Sequence, residues 1–225
     1  MKMKRRRFVT TCLASAGSAL VLGGISAVGA AEEEHEISAN EDTMREHALL
    51  GRILVIYEEA GIMIEGDDDV PTEAITDAAE IIHEYIGEYH ETKEEDDIFP
   101  HLRAAGRHVE LVNTLERQHR LSRKLTDRIL RRVATADTPP ERDALVRDMR
   151  RFSRMYRPHA AHEDTVVLPA LQAIMSPHEY AELGEAFEEH ENELFGDDPF
   201  GKFVSRVADI ERSLGVHDIS RFSRL

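Results

Sequence analysis

Apolar side chains return at the three- and four-residue spacing of an amphipathic helix along four successive stretches of the chain. In the first, Leu50, Leu54 and Ile62 fall on one stripe, Asp42 or Thr43 stands where a cap is needed, and the pattern runs to about Ile64. Gly66 to Pro71 interrupts it. Thr72 can open the second stretch, with Ile75, Ala79, Ile82 and Ile86 on one face, ending near Arg103; Ala105 to Arg107 makes a short turn. The third runs from about His108 to Ala136 through Leu111, Leu115, Leu125 and Ile129, and Thr138 to Pro140 ends it. The fourth, from about Glu141 to Ala173, carries Leu145, Phe152 and Val166. It encloses Pro158, whose missing N–H predicts a kink or local unwinding. Two shorter stretches follow, Ser176 to about Leu194 and Phe200 to Leu214, with their charges expected on solvent faces. The expectation is an all-α fold: an up-down-up-down four-helix bundle over 42–173 with a short helical C-terminal extension over 174–225.

Composition sharpens this only modestly. A chain of 225 residues can bury one sizeable core, and no Trp, 6% aromatic and 32% charged residues lean toward helices rather than an all-β fold.

Residues 1–30 read differently. A basic start from Lys2 to Arg7, an apolar stretch from Leu13 to Val28 and small residues at Ala30 and Ala31 have the layout of an export signal. The apolar part is too short and too rich in Gly and Ser for a spanning helix, so no stable membrane span is expected after its removal. Lys4 to Thr10, K-R-R-R-F-V-T, resembles a twin-arginine signal with Arg5 and Arg6 as the pair, which implies export of a folded protein to the periplasm or beyond. An acidic lead-in follows over 31–41.

The single cysteine, Cys12, lies inside this signal, so the mature chain has neither disulfides nor thiolate metal sites. Loss of 1–30 removes five basic and no acidic side chains, moving the formal charge from −16 to −21. Such a balance disfavours nucleic acid and anionic lipid as partners.

The chemistry lies in an internal repeat. Residues 90–100 read H-E-T-K-E-E-D-D-I-F-P and residues 159–169 read H-A-A-H-E-D-T-V-V-L-P: each has a His, a Glu four residues on, and an apolar-Pro pair at the same offset. The first and third helices match too, R-E-H-A-L at Arg45 to Leu49 and R-Q-H-R-L at Arg117 to Leu121. Residues four apart share a helix face, so His90 with Glu94 and His159 with Glu163 can point to one axis. Antiparallel hairpins then bring His47 and His119 to the same depth. Four imidazoles and two carboxylates in one layer are costly to bury unless cations neutralise them. Six donors of this type suit two non-haem iron ions better than one zinc.

These motifs resemble the hemerythrin family in its HHE cation-binding branch, over roughly residues 42–173. The resemblance implies two iron ions bridged by carboxylates, with His47, His90, His119 and His159 as terminal ligands and Glu94 and Glu163 as bridges. Asp164 stands five residues after His159, the offset used by oxygen carriers, and competes with Glu163. The oxygen carriers have two His four residues apart in the third helix, whereas His119 has Leu115 and Arg123 at those offsets. One iron then keeps more open positions or recruits Glu91, His162 or Asp164. Glu58 and His83 each lie about twenty degrees from a ligand position on an ideal helix. They face the interior as a proton or solvent path, or snorkel outward from a wide polar face.

Three function classes fit: binding of dioxygen or a similar small diatomic ligand for sensing, scavenging or delivery; a di-iron oxidoreductase of peroxidase or oxidase type; and iron binding or storage. The missing third-helix His weighs against simple oxygen carriage, and the lack of a thiol pair or flavin motif weighs against a self-contained oxidoreductase. Ligand binding is the leading expectation.

Overall fold

The computed structural model describes residues 37–66, 68 and 70–223, so the expected export signal and residues 31–36 of the acidic lead-in lie outside the described residues. Among the described residues the fold is all-helical, without strands. No helix there is long and apolar enough to cross a membrane.

Helix α1 (Ala39–Glu65) begins four or five residues earlier than the pattern indicates, because Ser38 rather than Asp42 or Thr43 caps it, accepting from the Glu41 N–H. Helix α2 (72–104) is one long rod interrupted by two widened π turns, Ile82–His90 and Glu94–Ile98. A backbone of tight turns through Gly106 and the left-handed His108 leads to α3 (Val109–Val133). Helix α4 (139–174) starts at a Thr138–Glu141 capping box and holds a third π turn, Glu163–Val167. The chain stays α-helical through Pro158 to His162, so the irregularity expected at that proline lies further on.

The position of two π turns has a local cause. Pro100 and Pro169 each follow by six residues the glutamate that opens a π turn, Glu94 and Glu163. A proline withholds the N–H that the carbonyl four residues back would accept, and its ring crowds that carbonyl. Those carbonyls belong to Asp96 and Thr165, both inside the widened turns, which close instead from Phe99 and Leu168 N–H to the Glu94 and Glu163 carbonyls. Single π turns of this type are frequent at functional sites.

Helices α3 and α4 pack along each other, α1 lies against α4, and α2 against α3. Their apolar stripes form two clusters. One runs through Leu50, Tyr57, Ile86, Ile129 and Phe152; the other through Phe99, Leu102, Leu115, Leu168 and Leu171. Ile62, expected on the buried stripe, is exposed instead.

Two shorter helices, α5 (Pro177–Phe195, opened by a Ser176–Glu179 capping box) and α6 (Pro199–Ser213), pack on α1, and α6 reaches α2 as well. Gly184 of α5 lies so close to α1 that a Cβ there would stand 3.2 Å from the Ile37 carbonyl and the Ala39 nitrogen. The charges of these two helices are not all solvated: Glu191 is buried and accepts from the Tyr85 hydroxyl at 2.6 Å. Glu211 makes a two-pronged pair with Arg52 (2.8 and 2.7 Å).

Candidate metal centre

Between the two apolar clusters lies a buried polar layer drawn from the four long helices. His47 comes from α1, His90 and Glu94 from α2, His119 from α3, and His159 and Glu163 from α4; all six are buried. Donor atoms of Glu94, His119, His159 and Glu163 lie within 4.8 Å of one another, as do those of His47, His90 and Glu94. Glu94 is thus common to both groups. Glu163 spans them as well, with Oε2 3.3 Å from His47 Nε2 and Oε1 3.0 Å from His159 Nε2.

The imidazoles are paired. His47 Nε2 stands 3.1 Å from His90 Nε2, and His119 Nε2 stands 3.1 Å from His159 Nε2. The other nitrogen of each ring faces an acceptor: Asp164 for His47 (2.7 Å), Glu46 for His90 (2.6 Å), Glu95 for His119 (3.0 Å) and the Gln118 side-chain oxygen for His159 (2.9 Å). With each Nδ1–H donating outward, each pair turns its Nε2 lone pairs toward one another. Two lone pairs at that separation repel unless a positive charge lies between or on them.

The electrostatics point the same way. Burial lowers His47, but the hydrogen bond to Asp164 and the nearby Glu163 carboxylate outweigh it and push the ring up to about 10. His119 is likewise pushed up to about 10, with burial overcome by Glu94 and Glu95. His90 is pushed down to about 3, chiefly by burial. Burial opposes ionisation of Glu163 too, yet His159 and His47 hold its carboxyl well below the usual range. Each imidazole pair therefore contains a ring that favours positive charge, and the carboxylates sit between the pairs.

The donor set fits a metal ion on a second ground. All four carboxylate oxygens of Glu94 and Glu163 are buried without a hydrogen-bond partner. Orphaned buried carboxylates are rare and costly unless cations complete them. Imidazole and carboxylate together suit first-row divalent ions, iron among them.

The three further candidates separate clearly. Asp164 turns outward as the acceptor for His47, while Glu163 occupies the interior. His162 is exposed, with Nδ1 2.6 Å from the Pro158 carbonyl. Glu91 is buried beside the layer, receives the Tyr156 hydroxyl at 3.1 Å and pairs with Arg123 Nε at 2.9 Å. Burial pushes Glu91 up to about 7. Glu58 and His83 do not face the interior: both are exposed, Glu58 on Arg157 (2.6 Å) and His83 on Glu88 (3.4 Å).

Sequence reasoning missed the supporting residues Glu46, Glu95, Gln118 and Lys93. Lys93 is buried, with Nζ 2.7 and 2.8 Å from the Glu46 oxygens and 3.0 Å from Asp42. It lies under the rings of Tyr89 and Phe187. Aromatic faces close the layer elsewhere: Phe99 stacks on His119 and Tyr156 leans on His159. The signal for all four was adjacency to a ligand-type residue within the repeat itself.

Comparison with known proteins agrees with this chemistry. The family model described as Hemerythrin HHE cation binding domain matches residues 38–171. Proteins of Mycobacterium tuberculosis and Mycobacterium bovis, both described as uncharacterized, are 44% identical over 194 residues, which span 85% of this chain and 76% of each relative. No solved structure matches the chain significantly.

Proposed function

Because the chain belongs to the family of hemerythrin HHE cation-binding domains, we propose that its buried layer holds two iron ions bridged by carboxylates. The four long helices make an up-down-up-down bundle over 42–173, with 174–225 as an appended helical cover. The observation that carries the reading is the pair of close Nε2 contacts flanking four unpartnered carboxylate oxygens. His47 and His90 would hold one ion and His119 and His159 the other, with Glu94 and Glu163 serving both.

Such a pair of irons, when bound, would supply reversible electron donation to a small ligand. The chain's own part is to orient the rings through Asp164, Glu46, Glu95 and Gln118, and to exclude water with Phe99 and Tyr156. We read the protein as binding dioxygen or a similar small diatomic ligand. Export through the twin-arginine-like segment at residues 1–30 belongs to the same proposal, since a folded, loaded centre has reason to use that route.

A second reading, oxidoreductase turnover, draws on Tyr156, a fully buried phenol that touches both His159 and Glu91. One experiment separates the two. The chain is loaded anaerobically with ferrous iron, its metal is counted, and optical spectra are followed on adding dioxygen, then peroxide with a reductant. A reversible spectral change with dioxygen supports ligand binding, and sustained peroxide consumption supports an enzyme. Fewer than two irons per chain overturns the centre itself.

A further inference from the structure

The residues behind the imidazoles obey the same repeat as the imidazoles. Glu46 directly precedes His47 and accepts from His90; Gln118 directly precedes His119 and accepts from His159. Asp164 directly follows Glu163 and accepts from His47; Glu95 directly follows Glu94 and accepts from His119. Among these four acceptors the repeat breaks in charge at a single place, where the carboxylate of Glu46 is matched by the neutral amide of Gln118.

Neighbouring cations do not cancel this break. Lys93 sits on Glu46, but the half-buried Asp42 shares that ammonium, so the trio keeps an excess negative charge. On the other side Arg123 is shared in the same way, between Glu95 at 2.8 Å and Glu91 at 2.9 Å, and Gln118 brings no charge, so the difference of one carboxylate remains. The His47 and His90 rings thus lean on two carboxylates. The His119 and His159 rings lean on one carboxylate, shared with a guanidinium, and on an amide.

An ionised acceptor strengthens the Nδ1–H hydrogen bond and makes the opposite nitrogen a better metal donor. Resting on the two-metal reading, we propose that Gln118 makes the two positions unequal: a divalent cation enters the His47/His90 position first and more tightly. Gln118 is then a positioning residue that acts through His159. Loss of such a partner typically changes metal affinity by about 10–100-fold, which sets the expected gap between the two steps.

The test is an anaerobic titration of the full chain with cobalt(II) alone, followed by its visible absorption, for wild type, Gln118→Glu and Gln118→Leu. Wild type should bind two ions in two steps separated by about tenfold or more. Repulsion between two bound dications also separates steps, so the variants decide. Gln118→Glu should tighten the second step and narrow the gap, whereas Gln118→Leu should weaken the second step alone and widen it. A purely structural role for Gln118 would weaken both steps in both variants. The inference is overturned if two ions bind to wild type with equal affinity, or if Gln118→Glu leaves the gap unchanged; in either case the two-metal reading stands. Fewer than two ions in wild type overturns both together.

Discussion

Replacing Lys93 by methionine removes a buried cation while keeping an apolar stem of similar length between the Tyr89 and Phe187 rings. Lys93 is 3% exposed and Glu46 is fully buried, so water screens neither partner. In the variant Glu46 keeps only the His90 ring as a donor, since Asp42 carries the same charge as Glu46. Breaking a buried pair from one side costs about 3–5 kcal/mol, because a charge is stranded. Against a total of about 5–15 kcal/mol for a typical domain, that is a large share.

The same reasoning gives the control and the rescue. Arg157→Ala breaks the ion pair with Glu58, whose side chains are 51% and 56% exposed, and should cost less than about 1 kcal/mol. Adding Glu46→Gln to Lys93→Met removes the stranded charge while keeping an acceptor for His90, and should recover about 1–3 kcal/mol. Urea unfolding followed by helical circular dichroism, with a chelator present in every sample, measures all four chains. A Lys93→Met chain within about 1 kcal/mol of wild type, or a double variant no better than the single, would refute the buried-charge account.

Three further outcomes are expected. Glu163→Gln should lower the iron retained per chain after gel filtration while helical content stays intact, and full metal retention would remove Glu163 from the centre. Burial pushes Glu191 up to about 7, so the fold binds its proton more tightly than the unfolded chain does. Its contribution is therefore full below the unfolded value and is lost as pH rises through about 7, up to about 3 kcal/mol at about 1.4 kcal/mol per unit. Glu191→Gln should gain on wild type by that amount between pH 4 and pH 8 in urea midpoints, and a pH-independent difference would contradict it. Gly184→Val should loosen α5 from α1, because its Cβ meets backbone at 3.2 Å. A loss of about 1–3 kcal/mol, with faster proteolysis at α5, is the expected result, and an unchanged midpoint would be evidence against the close packing.

The residues of the polar layer were legible in the sequence because each half repeats them at offsets that one helix face can present. Their supports were not legible as supports. Glu46 and Gln118 stand one position from a His, which on a helix points about a hundred degrees away and reads as a solvent face. Each instead meets the ring of the neighbouring helix, a relation that appears only once α1 lies beside α2 and α3 beside α4. Choosing between Glu163 and Asp164 also needed the fold, since one residue of offset decides which carboxylate points inward and which holds His47 from outside.

Of the two directions left open for His83 and Glu58, both take the outward one, for different physical reasons. The angular argument for His83 assumed a regular helix, yet Ile82–His90 is a π stretch whose i to i+5 closure advances less per residue. Over seven residues that lag carries His83 away from the face of His90, out to Glu88. Helix α1 is regular, so Glu58 turns outward for another reason. The buried arc of α1 is centred on Leu50, Leu54 and Tyr57, and His47 stands at its rim rather than its middle. A further turn of about twenty degrees from the rim leads to solvent, where Glu58 meets Arg157. A ligand position is therefore a poor origin for an angular argument when the chemistry sits at the junction of two helices, because the inward direction of such a residue is the seam and not the core.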